Sequence, residues 1–106
     1  MSADAYVNAH GTLLLDVQAD LITRMVTRVV APLLPAETAP IAIGRLNPIF
    51  EIDGKRDVLF PQLISAVAQS SLSHPIGSLR NRSDEIAGAL DMLLYGLTHR
   101  LHGSPR

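Results

Sequence analysis

Ser73 beside His74 sets a hydroxyl next to an imidazole, the residue types of a nucleophile and its base. Adjacency along the chain does not make such a pair work. Nucleophile and base meet through tertiary geometry and need an orienting acid and an oxyanion site, and no motif for either accompanies them. His99 and His102 stand three apart and offer two imidazoles to a metal whose other ligands would come from elsewhere. Tail histidines usually bind nothing specific, and their cationic form suits a helix C-terminus, which is the preferred reading. Glu51, Asp53 and Asp57 surround a tight turn that spreads them over two faces, so they read as solvated turn charges. Arg24, Thr27 and Arg28 supply cations and a hydroxyl. The two arginines fall on one face of a strand, where a solvated face is the commoner outcome and a partner-binding patch the sharper one. With no cysteine and no glycine-rich phosphate loop, nothing here carries catalysis, a metal or a cofactor. The residues favour a binding or interaction protein.

Composition narrows the partners. A chain of 106 residues is one domain with room for a real core, here residues 1–106 with 98–106 as a C-terminal extension. A net charge of -1 argues against direct nucleic-acid binding, which needs clustered positive charge. The start, Met1-Ser2-Ala3-Asp4, lacks the basic flank and apolar run of a signal peptide, and no apolar stretch reaches the ~20 residues that span a bilayer. A soluble, cytoplasmic protein without membrane contact is expected. Aromatics are scarce, at 4%, while aliphatics are plentiful, a balance that fits a buried oligomer interface.

The elements that would position these residues are mostly strands. Asp4 to Ala9 alternates weakly, His10-Gly11 turns, and Thr12 to Gln18 alternates again, which predicts an N-terminal hairpin. Leu13, Leu15 and Val17 would face the core, with Thr12, Leu14, Asp16 and Gln18 outward. Thr23 to Leu33 reads as a strand ended by Pro32 and Pro35, because proline cannot donate to a sheet ladder. Ile41-Ala42-Ile43 reads as a short strand. Asp53-Gly54 is a two-residue turn whose central positions favour positive φ, and its register sets Ile52 opposite Lys55 and Glu51 opposite Arg56 as an exposed ion pair. Gln62 to Gln69 is a strand or a turn of helix. Ser83 is placed as the N-cap of a terminal helix, with Asp84 and Glu85 at the positive end of its dipole. Ile86, Leu90, Leu93, Leu97 and Leu101 recur at helical spacing on one stripe. Strands followed by one helix make a mostly-β or α+β domain, a small barrel flanked by the helix.

Three blocks, Leu13-Leu14-Leu15-Asp16-Val17-Gln18-Ala19-Asp20-Leu21-Ile22, Leu46-Asn47-Pro48-Ile49-Phe50-Glu51-Ile52-Asp53-Gly54, and Asp84-Glu85-Ile86 through Leu93-Leu94-Tyr95-Gly96-Leu97, together resemble the CcdB family, toxins of type II toxin–antitoxin pairs. The similarity runs from about Tyr6 to Leu97. It implies an SH3-like barrel of antiparallel strands with a β wing and one C-terminal helix, assembled as a homodimer. It also implies the activity: binding the DNA gyrase A subunit and trapping its cleavage complex with DNA, opposed by a CcdA-type antitoxin and serving plasmid maintenance. Carried over by position, the gyrase-contacting residues would be Leu21, Ile22, Asp91, Leu94, Tyr95, Gly96 and Leu97. The family's terminal Trp-Gly-Ile corresponds to Tyr95, Gly96 and Leu97, its helix Asn to Asp91, and its preceding aromatic to Leu94. Gly96 would let the chain end leave helical geometry. Arg24, Arg28 and Arg45 would anchor acidic antitoxin side chains. The enzymatic alternative is a MazF-like endoribonuclease on the same barrel, using Arg24, Thr27 and Arg28; the other is a relative that binds antitoxin without poisoning gyrase.

Overall fold

The computed structural model describes residues 1–18 and 26–101, the side chains of 99–101 excepted. Seven antiparallel strands lead into one helix: β1 (Asp4–Val7), β2 (Leu13–Asp16), β3 (Thr27–Pro35), β4 (Ile49–Ile52), β5 (Lys55–Leu59), β6 (Ser65–Ala68), β7 (Gly77–Ser78) and α1 (Ser83–Leu101). The sheet runs β4-β5-β3-β2-β1-β7, with β6 paired to β3, and wraps into a nearly closed SH3-like barrel. No helix among the described residues is long and apolar enough to cross a membrane.

The two hairpins form where local chemistry demands them. At the first, Asn8 Oδ1 accepts from the amides of His10 and Thr12 at 2.9 and 2.8 Å, and Gly11 takes φ 81. β1 and β2 then pair Ala5 with Leu15 and Val7 with Leu13. At the second, Asp53 and Gly54 both take positive φ, 53 and 77, the pair of values that matches strand twist. Ile52 faces Lys55 and Glu51 faces Arg56 in register, as expected, although no ion pair joins Glu51 to Arg56. The β4–β5 hairpin pairs with β3 only along its last residues, Leu33, Leu34 and Pro35, and forms a small wing.

β3 organises the barrel, and Pro32 does not end it. Thr27 to Val30 pairs with β6, Leu33 to Pro35 pairs with β5, and β2 runs along the opposite edge. Pro32 falls in the gap where β6 hands over to β5. Its carbonyl accepts from Phe60 N at 3.0 Å, so its nitrogen points toward the same gap, where neither strand asks for a donor. Ile41-Ala42-Ile43 forms no strand; both isoleucines are exposed, and the Ile43 amide donates instead to Asn47 Oδ1 at 2.9 Å. Asn47 is buried and also donates to the Leu59 carbonyl at 2.9 Å, which pins the 3-10 turn Gly44–Leu46 onto the barrel. Gln62 to Gln69 combines both expectations, holding β6 after the 3-10 turn Pro61–Leu63.

The core holds Ala5, Leu15, Val17, Ala31, Leu33, Phe50, Leu59 and Ile86. Leu13 is only partly buried against it. The outward face of β2 is covered too: Leu14, Asp16 and Gln18 are buried, contrary to a half-solvated strand. The helix docks by its first half. Ser83 is not an N-cap with non-helical backbone. It sits at φ -61 and ψ -28, and the 3-10 turn Arg80–Arg82 runs straight into α1. Arg82 does the anchoring: its guanidinium lies 4.6 Å from the centre of the Phe50 ring, bonds to Glu85 within the helix and reaches the Ile49 carbonyl at 3.4 Å.

Candidate functional site

The apolar stripe of α1 divides in two. Ile86 and Ala89 are fully buried, Leu90 and Leu93 are partly buried, and Leu97 is 50% exposed. Past Leu93 the helix continues with its hydrophobic residues in solvent: Leu94 is 57% and Tyr95 69% exposed. At ~100° per residue, Tyr95 lies diametrically opposite Ile86, and Asp91, Leu94, Tyr95 and Thr98 share the outward side. Leu97 instead prolongs the packed stripe beyond the barrel. Of the residues expected to contact a partner, Asp91, Leu94, Tyr95 and Leu97 therefore sit on two sides of one protruding helix. Core packing requires none of them.

Gly96 stands inside the helix, which runs on through Leu101, and its backbone does not adopt positive φ. The expected exit from helical geometry at this glycine does not occur. A Cβ placed on Gly96 would meet no described atom within 4 Å apart from its chain neighbours and the helix's own backbone, so nothing else among the described residues packs on this position. Thr98 follows, its hydroxyl donating back to the carbonyls of Leu94 at 2.9 Å and Tyr95 at 3.1 Å. Such back-bonding removes the polar side chain from the surface offered to a partner.

Leu21, Ile22 and Arg24 lie outside the described residues. Arg28 is not solvated: it is buried, and its Nε and Nη2 donate to Asp16 Oδ2 at 3.0 and 2.5 Å. Asp16 Oδ1 meanwhile accepts from Gln18 N at 3.0 Å, and Gln18 Oε1 accepts from Val29 N at 2.9 Å. The Leu-Asp-Val-Gln run is thus a structural device, in which two polar side chains satisfy β3 where β2 ends. Arg45 is exposed at the mouth of a shallow groove with Pro48, Asp84, Glu85 and Gly88.

The other chemical candidates do not converge. Thr27 and Arg28 are neighbours on β3 and point to opposite faces, so they make no acid–base set. Ser73 and His74 are both exposed without a mutual hydrogen bond, and the described residues hold no group of three or more acidic or histidine side chains placed for a metal. Asp57 is not a solvated turn charge. It is buried beside Phe50 and Pro35 in register, and burial, then the nearby Glu37, pushes its carboxyl above the usual carboxylate range against the pull of Lys55.

A small antiparallel barrel with a protruding C-terminal helix is the frame that the three sequence blocks imply. A family model described as CcdB protein matches residues 3–96. The chain belongs to the CcdB family. Membership makes it a toxin of the toxin–antitoxin kind, and the match takes in both hairpins and α1 as far as Gly96. No individual curated protein matches the chain. The helical residues after Gly96 lie beyond the matched span.

Proposed function

We propose that this CcdB-family chain is a non-enzymatic poison of DNA gyrase, acting as a cytoplasmic homodimer and held in check by a CcdA-type antitoxin. The observation that carries the proposal is the exposure of Tyr95, with Leu94 and Leu97, on a half-helix that the barrel does not use. In a dimer, two such helix ends beside the loops bearing Leu21 and Ile22 would present a pair of aromatic rings to the gyrase A subunit. A ring of this kind contributes burial and stacking on a cation, and tyrosine supplies both. Asp91, exposed one turn earlier, keeps its carboxylate wet or meets a donor on gyrase; a buried, unpaired carboxylate there would cost several kcal/mol. Gly96 lets the partner's surface approach between Tyr95 and Leu97. For the antitoxin, Arg45 is the exposed candidate to meet an acidic side chain, with Arg24 beside it in the proposal, while Arg28 is already committed to Asp16.

The test is cleavage-complex formation with the cognate gyrase, ATP and DNA. Cleaved complexes that vanish with Tyr95→Ala support the proposal; none at saturating toxin would end it. RNA cleavage that survives Tyr95→Ala and is lost with Arg28→Ala, in a variant whose thermal melt shows it still folded, would support the endoribonuclease instead. Harmless overexpression with tight antitoxin binding would identify a relative that has lost gyrase.

A further inference from the structure

Ser2, Asp4, Tyr6, Asp16, Arg28 and Ser73 line an open polar cleft of about 380 Å³. We propose that this cleft seats the guanidinium of an arginine on a partner protein. The proposal stands apart from the gyrase reading and involves none of the helix-end residues.

Charge gives the sign of the ligand. Among the described residues Arg28 is the cation lining the cleft, and its charge is offset by Asp16 at 2.5 Å. Asp4 then remains as an uncompensated carboxylate, partly exposed and in no ion pair with another described residue. The Tyr6 phenol reports the same field: its pKa is raised by burial first, then by Asp4 and Asp16, with Arg28 opposing. An anionic partner would meet Asp4 with its attraction to Arg28 already spent, whereas a cation meets a net negative wall.

Hydrogen-bonding capacity gives the shape. Ser2 Oγ is buried and has no hydrogen-bond partner among the described residues. Buried hydroxyls in that condition cost stability until something pairs with them. Ser2, Asp4 and Ser73 line the cleft together with Tyr6. A planar group with several fixed donors and a face that stacks on rings matches that set better than the compact ammonium of lysine. Ser2 is held in place by the chain itself. Ser78 Oγ donates to the Ser2 carbonyl at 3.2 Å, and the next residue, Ala3, is buried with φ 54 while its carbonyl accepts from Leu79 N at 2.8 Å.

The full isotope-labelled chain is titrated with the end-blocked tripeptide Gly-Arg-Gly and, separately, with Gly-Lys-Gly and Gly-Glu-Gly, following backbone amide shifts by NMR. The arginine peptide is expected to give saturable shifts at Ser2, Tyr6, Gln69 and Ser73, with the lysine peptide weaker. Asp4→Asn should weaken the arginine peptide by about fivefold, the weight of one partly exposed charge contact. Added salt weakens it in the unaltered chain, which tests the charge term without any substitution. Equal or stronger binding of the glutamate peptide, shifts that never saturate, or an affinity indifferent to both Asp4→Asn and salt would overturn the proposal.

Discussion

Asp16 on β2 and Arg28 on β3 form an ion pair inside the protein, with Oδ2 accepting from Nη2 at 2.5 Å and from Nε at 3.0 Å. Both residues are buried, and each lies where a strand residue of ordinary alternation would face water. Breaking such a pair leaves one buried charge uncompensated. Arg28→Met is expected to lower stability by about 3–5 kcal/mol, whereas Asp16→Leu combined with Arg28→Met should recover most of that loss. Urea denaturation of the two single variants and the double variant checks this as a double-mutant cycle.

The two halves of α1 should respond differently to truncation. Ile86→Ala removes a fully buried side chain and should cost about 2–5 kcal/mol. Tyr95→Ala removes an exposed ring and should leave stability within about 0.5 kcal/mol while abolishing gyrase cleavage complexes. Thermal melts beside the cleavage assay separate the two effects. A Tyr95→Ala protein that unfolds would assign the ring to the fold rather than to a partner.

Asp57 should contribute a stability term that falls as pH rises. Its folded-state carboxyl holds its proton to a higher pH than the unfolded chain does, so the folded state binds more protons between the two values. The contribution of this one carboxyl is therefore fully present below the unfolded pKa of about 4 and is lost as pH rises through its folded value. Asp57→Asn should flatten that decline and raise the denaturation midpoint at pH 7 more than at pH 4. Urea midpoints measured from acidic to neutral pH give the comparison.

At the wing tip, Gly54 holds φ 77 with open space around it. Gly54→Ala should cost about 1 kcal/mol from backbone strain alone, since no clash adds to it. Asp53→Asn, at φ 53, should be nearly neutral, because asparagine tolerates the same conformation. Chemical denaturation resolves the difference.

The features legible in the sequence were those decided within a few residues. Asn8 to Thr12 and Asp53-Gly54 state their turns locally, and Ile86 to Leu93 states its stripe by spacing alone. What was misread depends on neighbours distant in sequence. Leu14, Asp16 and Gln18 alternate like a half-exposed strand, yet tertiary packing covers both faces of β2. Ile41 and Ile43 have strand-forming side chains but no strand to pair with. Pro32 reads as a terminator only if one assumes that a neighbour needs its N–H. For the candidate site, helical spacing shows that Tyr95 faces away from the stripe, whereas its proposed role in gyrase contact came from the resemblance. The positions of Leu21, Ile22 and Arg24 fall outside the described residues.

Pro32 also acts as a proofreader of assembly. β3 must align with three neighbours at once, and its imino nitrogen is harmless only at the gap between β6 and β5. A slip of one residue against β2 would turn that nitrogen toward a strand that requires a donor. The same slip would carry the Arg28 guanidinium from Asp16 into the aliphatic interior. Both errors are penalised together, so the native register of β3 is specified twice over.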